Sequence, residues 1–409
     1  MKERVVVVGA SAGGLTVAEA LRRAGYEGAI TLVGDEAEPP YDRPPLSKHL
    51  LSGQWEPDRL ALRSEADLAA SEVELRLGVP ASGLDLGART LTLADGARLT
   101  YDSLVVATGV RARRLPGTDG VDGVHTLRTL HDALALRDRL RPGRRLVVVG
   151  AGFLGTEVAA VARALGVEVT LVESAAVPLA AAVGEAAGLF LTGLHREHGV
   201  EVRTGATVAG IMSAEGRVTG VRLTDAAGAS VVPADDVLVA IGCTPNTEWL
   251  ADSGLSVQDG LECDEYCVAA PGVYGVGDVA RWYNPLFGTA MRVEHRTNAT
   301  EQAMAVARRV ARPEERQPFA PVPYFWSDQY DGRFQAHGHL RGHDEALVLD
   351  SDLAQRRLLV VYRTGDRITG VLGAGVPPKA LRTWRGFVAT RTPWQEALAR
   401  PRAAAVPTG

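Results

Sequence analysis

Two glycine-rich turns, each followed roughly 20 residues later by an acid, are where this 409-residue chain could do chemistry. The first is Arg4-Val-Val-Val-Val-Gly9-Ala-Ser11-Ala-Gly13-Gly14, with Asp35 and Glu36 downstream. The second is Arg145-Leu-Val-Val-Val-Gly150-Ala-Gly152-Phe153-Leu154-Gly155, with Glu173 downstream. In such a turn the first glycine reverses the chain, the second lets backbone approach a pyrophosphate, and the third lets helix and strand pack closely. The helix that follows aims free N–H groups at the phosphates, and the acid accepts ribose hydroxyls. One turn suits one dinucleotide. Two in one polypeptide suit two, which points to a flavin reduced by a nicotinamide.

Two structural βαβ units without nucleotide are the bland alternative, and the coincidence of turns, helices and acids weighs against it. Ser11 replaces the second glycine of the first turn, a slightly crowded version of the same site. The flavin needs contacts from several segments, and the first half offers the turn, Asp35, Arg43, Lys48 and Thr108-Gly109, with Asp278 from a later strand. Asp278 suits ribitol hydroxyls and equally suits a helix N-cap. Glu173 selects the second cofactor. Its carboxylate accepts both ribose hydroxyls and repels a 2′-phosphate, and Ser174-Ala-Ala-Val177 brings no lysine or arginine. NADH is expected over NADPH. A glutamate that merely ends a strand is the alternative.

The elements that must position these residues follow from the hydrophobic pattern. Helical patterns run from Leu15 to Arg23 and from Phe153 to Leu165, and buried strands cover Ile30–Val33 and Val167–Val172. Ser103–Ala107 runs into Thr108-Gly109, and Val237–Ile241 runs into Gly242, so the two halves close alike. Leu91–Leu93 and Arg98–Tyr101 flank Ala94-Asp95-Gly96 as a hairpin. Helices are expected over Leu130–Leu140 and Glu294–Arg309, and a strand over Val273–Val279. The fold class is α/β: two Rossmann-like dinucleotide-binding domains plus a small α+β carboxy-terminal domain. We place the FAD-binding domain at 1–112 and 243–318, the NAD-binding domain at 113–242 and the last domain at 319–409.

Bulk properties exclude several classes. A net charge of −5 gives no support for nucleic acid as partner. A strand beginning by Arg4 leaves no room for a signal peptide, and no apolar run approaches membrane-spanning length, so a cytoplasmic protein is expected. The cysteines are Cys243, Cys263 and Cys267, far from the first turn. Flavin disulfide reductases carry a redox pair soon after that turn, where this chain has Pro40–Lys48 without sulfur. Buried free thiols are the expected state of Cys263 and Cys267. No metal site is expected.

Four stretches resemble the oxygenase-coupled NADH–ferredoxin reductases, the group containing putidaredoxin and rubredoxin reductases. They are Pro40-Tyr-Asp-Arg-Pro-Pro-Leu-Ser-Lys48, Gly150-Ala-Gly-Phe-Leu-Gly-Thr-Glu157, Val276-Gly-Asp278 and Pro323-Tyr-Phe-Trp-Ser-Asp-Gln-Tyr330. The resemblance implies FAD, NADH, a glutathione-reductase-like core and a carboxy-terminal reductase domain. It places Gly13, Asp35, Lys48, Ala81, Arg128, Asp278 and Arg296 against FAD, with Glu294 and His295 beside Arg296, and Trp326 in the same cofactor-contacting set. It also places Lys48 and Glu157 together near the flavin N5, where the lysine would stabilise reduced flavin and the glutamate would hold the lysine. A first-turn acid favoured by the helix dipole is the plainer reading of Glu157. Arg296 departs from the family, in which tryptophan or a small apolar residue is common, and it changes the polarity expected beside the flavin.

The implied cycle is ping-pong: hydride from NADH to FAD N5, then single electrons to a [2Fe-2S] ferredoxin serving a haem-thiolate monooxygenase or a ring-hydroxylating dioxygenase. Rubredoxin or a small-molecule acceptor, and an apoptosis-inducing-factor-like interaction flavoprotein, are the alternatives. Ferredoxins being acidic, Arg281, Arg292, Arg296 and Arg333 are candidate docking cations. A monomer or a homodimer is expected.

Overall fold

The computed structural model describes residues 3–400. The chain forms two compact units. The first comprises residues up to Asp42, Asp58–Arg111 and Thr244–Pro323. The second comprises Arg43–Pro57, Ala112–Cys243 and the chain from Tyr324 onward. The Pro-rich segment that carries Lys48 is thus part of the second unit.

The first unit is organised by a six-stranded sheet in the order Val268–Ala270, Val273–Gly275, Ser103–Val106, Arg4–Val8, Ala29–Val33, Glu74–Arg76. All neighbours but the first pair run parallel. A strand central to a parallel sheet is covered on both faces, which is why Val5–Val8 is an unbroken apolar run. The helices Ala12–Arg23 and Arg296–Ala311 share one core cluster with it, through Leu15, Val17, Leu21, Ala303 and Val306. Leu84, Leu91 and Leu93 belong to another cluster, which holds Val6 and Val8. They come from a three-stranded antiparallel sheet containing the expected hairpin, Thr90–Leu93 on Arg98–Thr100.

The second unit has a parallel five-stranded sheet ordered Glu201–Thr204, Glu168–Glu173, Arg145–Val149, Asp236–Val239, Val124–His125. The helix Phe153–Ala164 follows its central strand. The carboxy-terminal segment adds a five-stranded antiparallel sheet ordered Tyr324–Gln329, Gly332–Gly338, Arg367–Ala374, Arg357–Thr364, Glu345–Asp352. Phe334, Leu358, Tyr362 and Leu372 of that sheet share a core with Phe190, Leu191 and Leu194 of the helix Glu185–Glu197. The helices Pro378–Ala389 and Trp394–Ala399 close the fold.

Several boundaries differ from expectation for local reasons. The first helix starts at Ala12 because Ser11 is already extended (φ −107°, ψ −161°) and serves as its N-cap. The helix expected from Glu294 begins at Arg296, since His295 is extended. The strand expected over Val273–Val279 stops at Gly275, and Gly277, at φ +75°, turns the chain into a single 3-10 turn over Gly277–Val279. The helix at Leu130 ends at Arg137. It opens on a capping box in which Thr129 and Asp132 bond each other's backbone N–H.

Candidate functional site

In the first unit the turn after Arg4–Val8 is closed by steric necessity. Gly9 has φ +119°, and a Cβ there would lie 2.0 Å from the Ala107 carbonyl oxygen; one on Gly14 would lie 1.9 Å from the Gly9 oxygen. Gly9 therefore packs directly on Ala107 and Thr108, and Gly13 approaches Val276 and Ala299. The Ser11 hydroxyl makes no capping bond, so it does not occupy the N-terminal N–H groups of its helix. Asp35 is exposed at the end of Ala29–Val33, whereas Glu36 accepts a short hydrogen bond from the Tyr41 hydroxyl. Thr108 Oγ1 donates to the Asn246 carbonyl at 2.8 Å, and the Asn246 amide returns a 2.9 Å bond to Thr108 O, which fixes the Thr108-Gly109 stop. Gln302, unforeseen from the sequence, accepts the Gly277 N–H at 2.8 Å and so holds the turn that presents Asp278. Asp278 sits within that turn; the N-cap is Val276.

Arg296 is paired with Asp42, Nε to Oδ1 2.5 Å, so its charge is largely offset within the first unit. Arg292 bonds Glu294 and Asp259, and Arg281 bonds Glu262. In the second unit Arg333 bonds Asp328. Each candidate docking cation is thus one half of an ion pair. Ala81 opens the strand Ala81–Asp85, and His295 is the N-cap of Arg296–Ala311.

The second unit repeats the turn with a difference. A Cβ on Gly155 would lie 2.1 Å from the Gly150 oxygen, but one on Gly152 meets nothing within 4 Å. The space over Gly152 is open, as a phosphate approaching the backbone requires. Glu173, ending Glu168–Glu173, turns back over the turn. Its Oε2 accepts the Ala151 N–H at 3.0 Å, and its Oε1 accepts the Ala175 N–H at 2.9 Å. Phe153 packs edge-on against Phe325, ring centroids 5.0 Å apart, while Leu154 is exposed. Gly242, at φ +95°, is exposed, and its carbonyl accepts the Arg113 N–H.

Glu157 lies in the second turn of Phe153–Ala164, whose first turn carries no acid, so it is not the first-turn acid that the helix dipole would favour. It sits at the centre of a buried polar cluster. Lys48 Nζ approaches Oε2 at 2.7 Å, with side-chain exposures of 12% and 7%. The Ser47 hydroxyl donates to the same oxygen at 2.6 Å, and Ser327 from the carboxy-terminal sheet donates to Oε1 at 2.7 Å. An ionised carboxylate only accepts, so its neighbours are all donors. Arg43, close by in sequence, donates to the Arg128 carbonyl at 2.7 Å. Trp326 is half-buried and stacks on Tyr324, which stacks in turn on His337.

Burial holds the Cys263 and Cys267 thiols in the protonated form. Burial pushes Cys267 up to about 12 and lifts Cys263 well above the ordinary thiol range. All three cysteines are free. Among the described residues no acid, histidine or cysteine cluster could hold a metal, and no helix is long and apolar enough to cross a membrane.

These residues fit two dinucleotides on local grounds: open backbone at Gly152, helix N-termini after both turns, and an oriented acid beyond the second. Comparison with known proteins agrees. The family model described as pyridine nucleotide-disulphide oxidoreductase matches residues 3–303, and the reductase C-terminal model matches 324–405. The chain is 38% identical over 376 residues to putidaredoxin reductase of Pseudomonas putida, covering 90% of this chain and 88% of that one. It is 39% identical over 383 residues to the ferredoxin–NAD(+) reductase subunit of a Pseudomonas putida benzene 1,2-dioxygenase system, covering 92% and 90%. A chain in the crystal structure of the covalent putidaredoxin reductase–putidaredoxin complex superposes with a TM-score of 0.92 at 35% identity, covering 98% of this chain and 96% of that one.

Proposed function

The chain belongs to the pyridine nucleotide-disulphide oxidoreductase family, and from that membership and its site geometry we infer that it is an FAD-dependent NADH–ferredoxin reductase serving an oxygenase. FAD, when bound, would supply the redox chemistry that links two-electron reduction by NADH to single-electron delivery to an acceptor. The chain's own residues do the binding and orienting. Gly9–Gly14, Asp35, Ala81, Thr108, Gly109, Asp278 and Arg296 would hold the flavin dinucleotide, and Lys48 and Arg128 are further residues that would contact it. Gly150–Gly155 holds the NADH pyrophosphate, and Glu173 holds its ribose. Lys48 would bring positive charge to the flavin N5 side, and Glu157 holds the ammonium in place through the 2.7 Å pair. A cytoplasmic location and a [2Fe-2S] acceptor complete the reading; dioxygenase-system reductases among the relatives support the latter.

The carrying observation is Glu173, held by two backbone N–H groups beside an open glycine turn. The experiment is stopped-flow bleaching of the flavin bands with NADH and with NADPH, followed by turnover with [2Fe-2S] ferredoxins, rubredoxin and quinones. Fast bleaching by NADH and turnover with a ferredoxin are expected. Preference for NADPH would refute the role of Glu173, and turnover with small acceptors alone would refute the partner.

A further inference from the structure

Behind Glu157 runs a chain of buried polar groups, all in the second unit. Ser327 Oγ, which donates to Glu157 Oε1, receives a 3.1 Å bond from Gln329 Nε2. The same amide nitrogen donates to Thr156 Oγ1 at 2.8 Å. Gln329 Oε1 faces His195 Nε2 at 2.9 Å, and His195 Nδ1 faces the Tyr330 hydroxyl at 2.9 Å. Thr156, Glu157, His195, Ser327 and Gln329 are each at most 5% exposed.

Every proton in this chain has only one consistent direction. The Thr156 hydroxyl donates into its own helix, to the carbonyl of Gly152 or Phe153, both at 3.0 Å, so towards Gln329 it accepts. Ser327 donates to a carboxylate, so towards Gln329 it also accepts. Both therefore require the NH₂ end of the Gln329 amide, and the oxygen end must face His195. His195 is then protonated on Nε2 and accepts at Nδ1 from Tyr330. Burial depresses His195 to about 4, in keeping with a neutral ring. Tyr330 stacks on His198, centroids 3.6 Å apart, which holds the far end of the chain still.

We propose that Gln329 and Ser327 are positioning residues for the Lys48–Glu157 pair: the carboxy-terminal sheet, through one directed hydrogen-bond chain anchored at His195 and Tyr330, sets the carboxylate that holds the lysine. The inference rests on the reading that this pair serves the flavin. Two serines grip the carboxylate, Ser47 on Oε2 and Ser327 on Oε1, but only Ser327 is itself held by a buried amide with a fixed orientation. Removing Gln329 leaves Ser327 and Thr156 each without a donor, and the Ser327 hydroxyl loses the bond that fixes it on Glu157 Oε1.

The test uses the FAD-loaded enzyme with Gln329→Leu and, as a smaller change, Ser327→Ala. The midpoint potential of the bound flavin is measured together with the limiting rate of its reduction by NADH. Both variants should retain flavin, lower the potential in the same direction as Lys48→Met, and slow reduction roughly tenfold with unchanged NADH affinity. In a Glu157→Gln background, adding Gln329→Leu should change neither quantity further. Unchanged potential and rate in Ser327→Ala would overturn the proposal, as would equal effects of Gln329→Leu with and without Glu157→Gln. If Lys48→Met and Glu157→Gln themselves leave potential and rate untouched, the reading of the pair fails and takes this inference with it. Should Gln329→Leu fail to fold, Ser327→Ala decides alone.

Discussion

Glu173 and Ala151 are joined across the second glycine turn by a 3.0 Å hydrogen bond from the backbone N–H to Oε2, between residues 22 positions apart. The bond keeps the carboxylate over the turn, where ribose hydroxyls meet it as acceptors and a phosphate meets it as a like charge. Glu173→Ala should lower kcat/KM for NADH by about 10- to 100-fold, the range for a lost hydrogen bond to a charged group. Activity with NADPH should fall little or rise. Steady-state kinetics with both cofactors checks this, and equal losses with the two would remove Glu173 from specificity.

The Lys48–Glu157 pair should behave as a unit in stability. A buried pair that loses one member leaves an uncompensated charge, at a cost of about 3–5 kcal/mol. Glu157→Leu should therefore unfold at markedly lower urea than wild type. Combining it with Lys48→Met should recover part of the loss, despite the extra substitution. Additive losses would mean that the pair is not buried as a pair.

Stability should also fall in mild acid because of His195. Its folded pKa of about 4 lies below the ordinary 6.5, so the unfolded chain binds more protons between these values. Its neutral form is fully accommodated above pH 6.5, and stability declines as pH drops from there towards 4. At 1.36 kcal/mol per unit, the whole decline amounts to roughly 3 kcal/mol. His337, also depressed to about 4 by burial, adds a decline of the same sign. Urea midpoints at pH 7 and pH 5 should show the loss, and His195→Gln should reduce its pH dependence. A variant with the wild-type slope would contradict this origin.

Alkylation should leave catalysis intact. Burial keeps Cys267 and Cys263 in the thiol form at neutral pH, and the thiolate is the reactive species. Iodoacetamide on the native enzyme should spare Cys267, and Cys263→Ser with Cys267→Ser should turn over NADH at the wild-type rate. Peptide mass spectrometry before and after denaturation reads the first; loss of activity in the double variant would reopen a dithiol route.

Much of the fold was legible because its signals are local. Val5–Val8 and Leu146–Val149 are unbroken apolar runs because each strand is covered on both faces, and a glycine at each carboxyl end forces the turn. Ends of elements were less legible: the sequence places no clear stop between Val273 and Val279, where Gly277 alone redirects the chain.

By itself, then, the sequence determined what depends on neighbours in the chain: two glycine turns, the helices after them, and Glu173 at a strand end. Only the tertiary structure decided what depends on residues far apart. Ser327 and Glu157 are 170 residues apart, Lys48 and Glu157 are 109 apart, and Arg296 and Asp42 are 254 apart. No spacing rule links such positions. A hydroxyl or an ammonium becomes meaningful only when folding brings it, dehydrated, against the carboxylate that needs it.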